Sequence, residues 1–244
     1  MIDGQALDGA FLSEGTTMVP LRRFCELAMP GCTVSWDGAS KTATVDAPGL
    51  HMTAQHGSEY VVANGRYLFT GSLCRVDDAG VFCLPIRVLA KALGAEVSWS
   101  EKTRSVTVKS GFGPILSGDQ FYSSDDVYWL SRIIYAEAGC ESLDGQIAVG
   151  NVVLNRVASP LFPDTVYNVI FQTTYGIIQF SPIANGAIYN TPTESCVIAA
   201  KLALDGGNTA SDSLYFLNIR AATTLWVVRN CDYVTTIGNH SFYM

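Results

Sequence analysis

Residues 123–156 read SSDDVYWLSRIIYAEAGCESLDGQIAVGNVVLNR, and this stretch predicts two helices joined by a short turn. Ser123 is a favourable N-cap, and Asp126 stands three residues later, as in a capping box. Four aliphatic residues then recur at helical spacing and predict one apolar face: Val127, Leu130, Ile133 and Ile134. Gly139 predicts the end of this helix. Asp144 is a possible cap of the next one, residues 145–157, whose nearly continuous apolar surface predicts a central position.

Glu137 falls on the apolar face of the first helix. A buried carboxylate is costly unless it is paired or protonated. Proteins accept that cost most often where they need a carboxylic acid with a raised pKa, so Glu137 is a candidate general acid. Two structural interpretations compete: Glu137 could pair with Arg132 or Arg156, or it could be solvated if the helix is rotated. Glu141, one turn later, is close enough to feel the charge of Glu137 if the helix persists.

The stretch IIYAEAGCESLDGQIAVGNVVLNRV resembles the catalytic domain of SleB-type cell wall hydrolases, the spore-cortex-lytic enzymes of germination. Four further motifs follow in the family's order: SPLFPDTVYNVIFQ, QFSPIANG, LYFLN and TIGNHSF. The resemblance covers residues 124–244. It implies a compact, mostly helical, lysozyme-like domain with a small antiparallel sheet, and a lytic transglycosylase that cleaves the glycan strands of peptidoglycan.

The YAEA motif implies that Glu137 is the catalytic residue of this domain. The candidate substrate-binding residues are Glu141, Gln179, Phe180, Ser181, Tyr215, Asn218 and His240. In the QFS motif, an amide, an aromatic face and a hydroxyl suit a sugar with N-acetyl and hydroxyl groups; the alternative is a loop that only packs through Phe180. His240, in the GNH motif, has a structural alternative as well. The sequence departs from the family where Gly139-Cys140-Glu141 replaces Arg-Gly-Glu and where Ile219 replaces a proline.

One essential glutamate suffices for lytic transglycosylation, because the MurNAc 6-hydroxyl attacks its own anomeric carbon after cleavage of the bond to GlcNAc. Two alternatives stay open. The first is a hydrolytic muramidase in which Glu141 serves as the second carboxylate beside Glu137. The second is a non-catalytic wall-binding protein, in which both domains only grip glycan.

Residues 1–110 contain an imperfect repeat, VPLRRFCELAMPGCTVSWDGASKTATV from Val19 and LPIRVLAKALGAEVSWSEKTRSVTV from Leu84. Each copy predicts a short helix after a proline, then a β-hairpin. The copies resemble the copper amine oxidase N-terminal-like domain, a stalk module. We consider two roles for this domain, attachment to the cell wall and a passive spacer. Trp36 and Trp99 occupy matching positions, where we expect core anchors more often than sugar-stacking surfaces. Asn64-Gly65 predicts a tight hairpin turn between two further strands.

The predicted architecture is α+β with three parts: residues 1–110, a linker at 111–123, and a catalytic domain at 124–244. Strand-like stretches at 213–218, 225–229, 234–237 and 239–243 predict the small sheet of that domain.

The chain has 244 residues, with 15 Lys and Arg against 22 Asp and Glu, for a net charge of -7. No basic groove is indicated, so nucleic acid is excluded as a partner, and no apolar run is long enough for a membrane span. We expect no metal and no cofactor, because neither the seven cysteines nor the three histidines follow a zinc spacing. The expected partner is peptidoglycan, in the cell wall or the spore cortex. A cell wall enzyme must be exported, yet MIDGQALDG has no leader pattern, so we expect that the leader has been removed and replaced by Met1.

Overall fold

The computed structural model describes the chain except for Phe112, Tyr175 and Thr223, and the chain divides into two compact units, Met1–Phe121 and Tyr122–Met244. Phe112, which belongs to the predicted linker, lies outside the described residues. In the described part of the first unit the strands are β1 Phe11–Ser13, β2 Thr16–Pro20, β3 Thr33–Asp37, β4 Thr42–Ala47, β5 Leu50–Gln55, β6 Tyr60–Ala63, β7 Arg66–Phe69, β8 Arg75–Val76, β9 Phe82–Pro85, β10 Glu96–Ser100 and β11 Ser105–Lys109. Its helices are α1 Leu21–Ala28, α2 Ile86–Ala92 and α3 Gly118–Phe121.

The strands of the first unit form three antiparallel sheets, ordered β1-β2-β9-β8, β3-β4-β5-β6-β7 and β10-β11. Asn64 and Gly65, both with positive φ, make the turn between β6 and β7. This agrees with the hairpin that the Asn-Gly pair predicts, since a type I′ turn needs positive φ at both central positions.

The two repeat copies meet in the four-stranded sheet. Val19 and Leu84, which are equivalent in the repeat, pair directly between β2 and β9. Each of these strands leads through a proline into a helix, α1 or α2, and each helix is followed by a hairpin, β3-β4 or β10-β11. The repeat prediction is therefore confirmed, and the pairing relates the copies by a local pseudo-two-fold axis at Val19 and Leu84.

The matching tryptophans are not core anchors, and that expectation was wrong. Trp36 is 43% exposed and Trp99 is 48% exposed, each on a hairpin strand. The core of the first unit is built instead from aliphatic residues, Phe24 and the thiols of Cys25 and Cys74. Trp36 lies on β3, the edge strand of the five-stranded sheet, and Trp99 lies on β10 of the two-stranded sheet; each indole keeps a face open to solvent.

The second unit contains the helices α4 Ser124–Ala138, α5 Leu143–Ala158, α6 Val166–Ile170, α7 Ser181–Ala184, α8 Glu194–Leu204 and α9 Trp226–Asn230, with a 3₁₀ turn at Ala187–Tyr189. Its strands in the described residues are β12 Thr173–Thr174, β13 Ile177–Ile178, β14 Tyr215–Leu217, β15 Tyr233–Ile237 and β16 His240–Tyr243. The last three form an antiparallel sheet ordered β14-β16-β15. A unit of antiparallel sheets and short helices, followed along the chain by a helical unit with a small antiparallel sheet, confirms the predicted α+β class.

The ends of α4 follow from its sequence. The Ser123 hydroxyl accepts a hydrogen bond from the Asp126 backbone N–H at 3.3 Å, and the helix ends at Gly139. The next helix begins two residues earlier than predicted, because Ser142 rather than Asp144 is its N-cap, accepting from the Gly145 N–H. A serine in extended backbone caps as well as an aspartate does.

Helices α4, α5 and α8 pack against one another and build the core of the second unit. Most of α5 is buried, which confirms its predicted central position. Gly150 marks the closest approach: a methyl group on its Cα would lie 3.1 Å from Ile134 Cδ1 and 3.2 Å from Ala203 Cβ. The three helices therefore approach one another closely where α5 carries no side chain.

One strand prediction was wrong. Residues 225–229 form most of α9 rather than a strand. None of the residues of α9 is buried. Their apolar side chains therefore do not form the buried face of a sheet, which the strand prediction assumed. The Asn230 side chain donates to the Trp226 carbonyl at 2.7 Å and closes this short helix.

Candidate active site

Glu137 lies in the last turn of α4, one residue before the helix ends. Its side chain is partly buried, and this burial raises the pKa of Glu137 to about 7. The C-terminal end of a helix carries partial negative charge, which also disfavours a carboxylate. In the described part of the chain, no hydrogen bond or ion pair to the Glu137 carboxyl is found. A carboxyl group with these properties is half protonated near neutral pH, as a general acid requires.

The proposed ion pairs of Glu137 were wrong, because both arginines have other partners. The Arg132 guanidinium lies 3.6 Å from the centroid of the Tyr128 ring and donates weakly to the Tyr128 carbonyl at 3.4 Å. Arg156 Nε donates to the Leu214 carbonyl at 2.8 Å. No cation thus offsets the desolvation of Glu137 within the described residues.

Arg156 is more than nine-tenths buried, and three aromatic rings surround its guanidinium. The ring centroids of Phe162, Phe180 and Tyr215 lie 5.0, 5.1 and 5.5 Å from its central carbon. Burial lowers the pKa of Arg156 to about 10. The expected carboxylate partner is absent from the described residues; the guanidinium is held by ring faces and a carbonyl instead. Sequence reasoning missed this aromatic cage, because the residues that surround Arg156 are distant in the chain; Leu214, for example, is 58 positions away.

Glu141 follows α4 in the turn before α5, and its carboxylate contacts the β15-β16 turn. Its Oε1 accepts from Asn239 Nδ2 at 2.7 Å, and its Oε2 accepts from the Asn239 backbone N–H at 3.3 Å. The carboxylate also lies near His240, where burial lowers the imidazole pKa and the Glu141 charge opposes that effect. His240 is buried, and its Nδ1 has no partner within the described residues.

A row of aromatic rings connects His240 with the Arg156 cage. His240 meets Phe216 edge-on at 5.3 Å between centroids, and Phe216 meets Phe180 at 6.4 Å. Phe180 is 3% exposed, so its main role in the fold is packing. Tyr215 lies on the other side of Arg156, against Phe162 and Trp226. The structure therefore brings Glu141, Phe180, Tyr215 and His240 into one connected group.

The three remaining sequence-predicted residues lie at the edges of that group. Gln179 is exposed, and its amide donates to the Ile177 carbonyl of the β12-β13 hairpin at 3.2 Å. Ser181 is exposed at the first position of α7. Asn218 follows β14, and its Oδ1 accepts from the Arg220 backbone N–H at 3.0 Å, as in an Asx turn.

A second aromatic group, also missed from the sequence, lies beside the N-terminal half of α4. The Trp129 ring meets four other rings edge-on: Tyr128 at 4.9 Å, Tyr167 at 5.4 Å, Phe171 at 5.0 Å and Tyr189 at 6.4 Å. Tyr189 is 64% exposed. The only sequence signal was the four-residue spacing of Tyr167 and Phe171, which places both rings on one face of α6.

Within the described residues, no group of three or more His, Cys, Asp or Glu side chains is arranged to hold a metal ion. All seven cysteines are free thiols. No helix in this part of the chain combines the length and the apolar character needed to span a bilayer.

The second unit is thus a helical domain with a single desolvated glutamate at a helix end, and comparison with known families agrees with this class. Residues 140–243 match the family Cell Wall Hydrolase, and residues 1–109 match the copper amine oxidase N-terminal domain. The C-terminal part of the chain is therefore a cell wall hydrolase domain, homologous to the SleB-type spore cortex-lytic enzymes. The family match begins three residues after Glu137.

Two curated relatives and one solved structure illustrate the similarity. The spore cortex-lytic enzyme of Bacillus subtilis is 36% identical over 50% of this chain and 38% of its own length. That of Oceanobacillus iheyensis is 35% identical over 54% of this chain and 46% of its own length. The catalytic domain of the germination-specific lytic transglycosylase SleB from Bacillus anthracis is 34% identical, covers 53% of this chain and all of its own, and superposes with a TM-score of 0.46. The chain spans less than half the length of the curated relatives.

Proposed function

We propose that the protein is a lytic transglycosylase that cleaves the bond between MurNAc and GlcNAc in peptidoglycan, with Glu137 as its catalytic residue. The observation that carries this proposal is the state of Glu137: partly buried, at the negative end of α4, with a pKa of about 7. A carboxyl group in this state can give up a proton and take one back at neutral pH. The homology of this domain to spore cortex-lytic enzymes supports the choice of substrate.

The reaction needs only one carboxyl group. Protonated Glu137 donates its proton to the glycosidic oxygen, the bond from that oxygen to the MurNAc anomeric carbon breaks, and GlcNAc leaves with a hydroxyl group. The MurNAc 6-hydroxyl oxygen then bonds to the anomeric carbon, and its proton returns to Glu137. The product is a 1,6-anhydro sugar, no water is consumed, and the glutamate ends in its starting state.

The hydrogen bonds of Glu141 favour this mechanism over hydrolysis. A retaining or inverting hydrolase needs a second carboxylate that is free to attack the sugar or to activate water. Both carboxylate oxygens of Glu141 instead accept hydrogen bonds from Asn239. Glu141 therefore acts as a positioning residue that holds the β15-β16 turn, and with it His240, beside the end of α4.

The other predicted residues supply sugar contacts in this proposal. Gln179 and Ser181 are exposed and offer an amide and a hydroxyl to hydroxyl and N-acetyl groups. Tyr215 lies in β14, Asn218 follows that strand, and His240 begins the neighbouring strand β16; Phe180 packs against Phe216 and the Arg156 guanidinium. The exposed Tyr189 ring extends this surface along α4.

Action on peptidoglycan requires the protein to work outside the cytoplasm, so we include export to the wall or the spore cortex in the proposal. The first unit then serves to hold the enzyme on its insoluble substrate. An acidic chain gains little long-range attraction to an anionic wall. Recognition therefore has to rest on aromatic and hydrogen-bonding contacts.

The experiment is mass spectrometry of soluble products released from purified vegetative and cortex peptidoglycan. It compares the wild type, Glu137→Gln, and Glu194→Gln as a matched control at an exposed glutamate of the same unit. We expect anhydro-muropeptides from the wild type and the control, and a loss of about 10²–10⁴ in rate for Glu137→Gln. Products heavier by one water would establish hydrolysis instead. Wall binding by the wild type without any release would favour the non-catalytic alternative.

A further inference from the structure

A groove of about 470 Å³ lies in the first unit, between the start of α1, the β3-β4 hairpin and the segment that leads into β9. Trp36 and Phe82 form one of its walls, with their ring centroids 5.1 Å apart and their planes inclined by 50°. Trp36 keeps 43% of its surface open to solvent. This volume is within the range of sites for small ligands, and an open indole offers a flat apolar face.

Arg22 is the one charged residue among those that line this groove. Its side chain is exposed, and no hydrogen bond or ion pair of Arg22 is found in the described part of the chain. The acid closest in sequence to Trp36 is Asp37, and its carboxylate is engaged by the backbone N–H groups of Ala39 and Ser40 in the hairpin turn. The groove therefore combines an aromatic wall with an unengaged positive charge.

We propose that this groove binds peptidoglycan, with a sugar ring against Trp36 and a carboxylate of the same strand on Arg22. The inference rests on the proposed function, which gives the chain an insoluble glycan substrate, and it adds a second binding site outside the catalytic unit. The C–H face of an N-acetylhexosamine is apolar and flat, and the stem peptide, which is amide-linked to the lactyl group of MurNAc, carries free carboxylates beside the sugar ring. A guanidinium binds a carboxylate in a planar, bidentate geometry.

Trp99, the repeat-related tryptophan, provides an internal contrast. Its indole N–H donates to Glu101 Oε1 at 2.8 Å, so an acidic side chain stands beside this ring. A carboxylate-bearing ligand is attracted at Trp36 by Arg22 and repelled at Trp99 by Glu101. The two exposed tryptophans thus predict different affinities for the same anionic glycan, and Trp99 serves as the matched control.

The test is co-sedimentation of the full chain with purified insoluble peptidoglycan. All variants carry Glu137→Gln, so that the substrate stays intact. We expect Trp36→Ala and Arg22→Gln each to weaken binding about tenfold, with Trp36→Phe retaining part of it and Trp99→Ala binding like the parent. Thermal unfolding checks that each variant is folded; Arg22→Gln changes only an exposed side chain and keeps the test valid if Trp36→Ala unfolds.

Competition with soluble disaccharides identifies the ligand chemistry. We expect GlcNAc-MurNAc to displace the protein from the wall. The neutral disaccharide of two GlcNAc units should be a clearly weaker competitor, because only GlcNAc-MurNAc offers a carboxylate to Arg22. Equal competition, unchanged binding by Trp36→Ala, or an equal loss in Trp99→Ala would each overturn the proposal.

Product release from soluble and insoluble substrate distinguishes this inference from the proposed function. With Glu137 intact, Trp36→Ala should release products from short soluble glycan fragments at the wild-type rate and from insoluble wall more slowly. Failure of the wild type to release products from either material would count against the catalytic proposal alone, because binding is measured in the Glu137→Gln chain.

Discussion

Glu141 and Asn239 stand 98 positions apart in the chain, and two hydrogen bonds join them, at 2.7 Å from Nδ2 and at 3.3 Å from the backbone N–H. This link fastens the turn between α4 and α5 to the turn between β15 and β16. Gly238 makes room for this link, because a Cβ at that position would clash with Glu141 Oε2. One carboxylate therefore holds the C-terminal end of α4, which carries Glu137, close to the start of β16, which carries His240.

Glu141→Gln should leave the products of the enzyme unchanged. A glutamine can still accept one hydrogen bond from Asn239, so we expect a rate reduction of less than about tenfold and a stability loss of roughly 1 kcal/mol. Product masses are the decisive readout, with anhydro sugars expected from the variant as from the wild type. If Glu141→Gln abolished activity as completely as Glu137→Gln, Glu141 would be a second catalytic carboxylate and the positioning role would be wrong.

Gly238→Ala should destabilise the second unit more than an ordinary glycine substitution at positive φ. The new methyl group expels the Glu141 carboxylate from its place on Asn239, in addition to straining a backbone with φ of 57°. Gly186→Ala is the control, because Gly186 has φ of 78° and nothing within 4 Å of the added methyl. Thermal unfolding of both variants measures the difference, which we expect to exceed about 1 kcal/mol. Equal losses would mean that the Glu141 link does not contribute.

Activity should fall as the pH rises through about 7. Burial raises the pKa of Glu137 to about 7, so the proton-donating form dominates below that value and is lost above it. Well above the pKa we expect the rate to drop about tenfold per pH unit. Initial rates on soluble glycan fragments between pH 5 and 9 test this dependence. A rate that is constant across this range would show that Glu137 does not deliver the proton in the rate-limiting step.

Glu137→Gln should stabilise the protein at alkaline pH. The folded-state pKa is raised above the ordinary value of 4.5, so the folded protein holds the proton more tightly than the unfolded chain. Stability from this group is therefore fully present below about 4.5 and declines as the pH rises to about 7. Above that pH the buried carboxylate costs roughly 3 kcal/mol, which glutamine avoids.

Denaturation of the wild type and of Glu137→Gln at several pH values measures this difference. The two should differ least near pH 4.5 and most above pH 7. Glu96→Gln, at an exposed position of β10, provides the comparison for a solvated glutamate. A difference between wild type and Glu137→Gln that did not change with pH would contradict the assigned burial of Glu137.

The local features of the fold could be predicted from the sequence, because each depends on the chemistry of a few neighbouring residues. The Ser123 cap, the Gly139 stop and the Asn64-Gly65 turn each depend on a few adjacent residues. The repeat was visible because its strand, helix and hairpin recur in the same order. The burial of Glu137 followed from its position on the apolar face of α4.

The features that sequence reasoning misjudged depend on distant contacts. Pairing with Glu137 was one interpretation for Arg156, yet the partners of Arg156 come from segments that only the folded chain brings together. Trp36 and Trp99 were expected in the core, because a large aromatic residue is usually buried; instead Trp36 lies on a sheet edge and Trp99 on a two-stranded sheet, and both are exposed. In α9, a run of apolar residues suggested a strand although none of them is buried.

The pairing of Val19 with Leu84 has a consequence for biogenesis. The four-stranded sheet draws β1 and β2 from the first copy and β8 and β9 from the second, and Ile2 bridges to Val108. A chain that emerges from the ribosome cannot complete this unit until Val108 has appeared. Such distant pairings are slow to form. The four-stranded sheet that joins the two copies is thus a late step in the folding of this unit, after the locally paired strands β3 to β7.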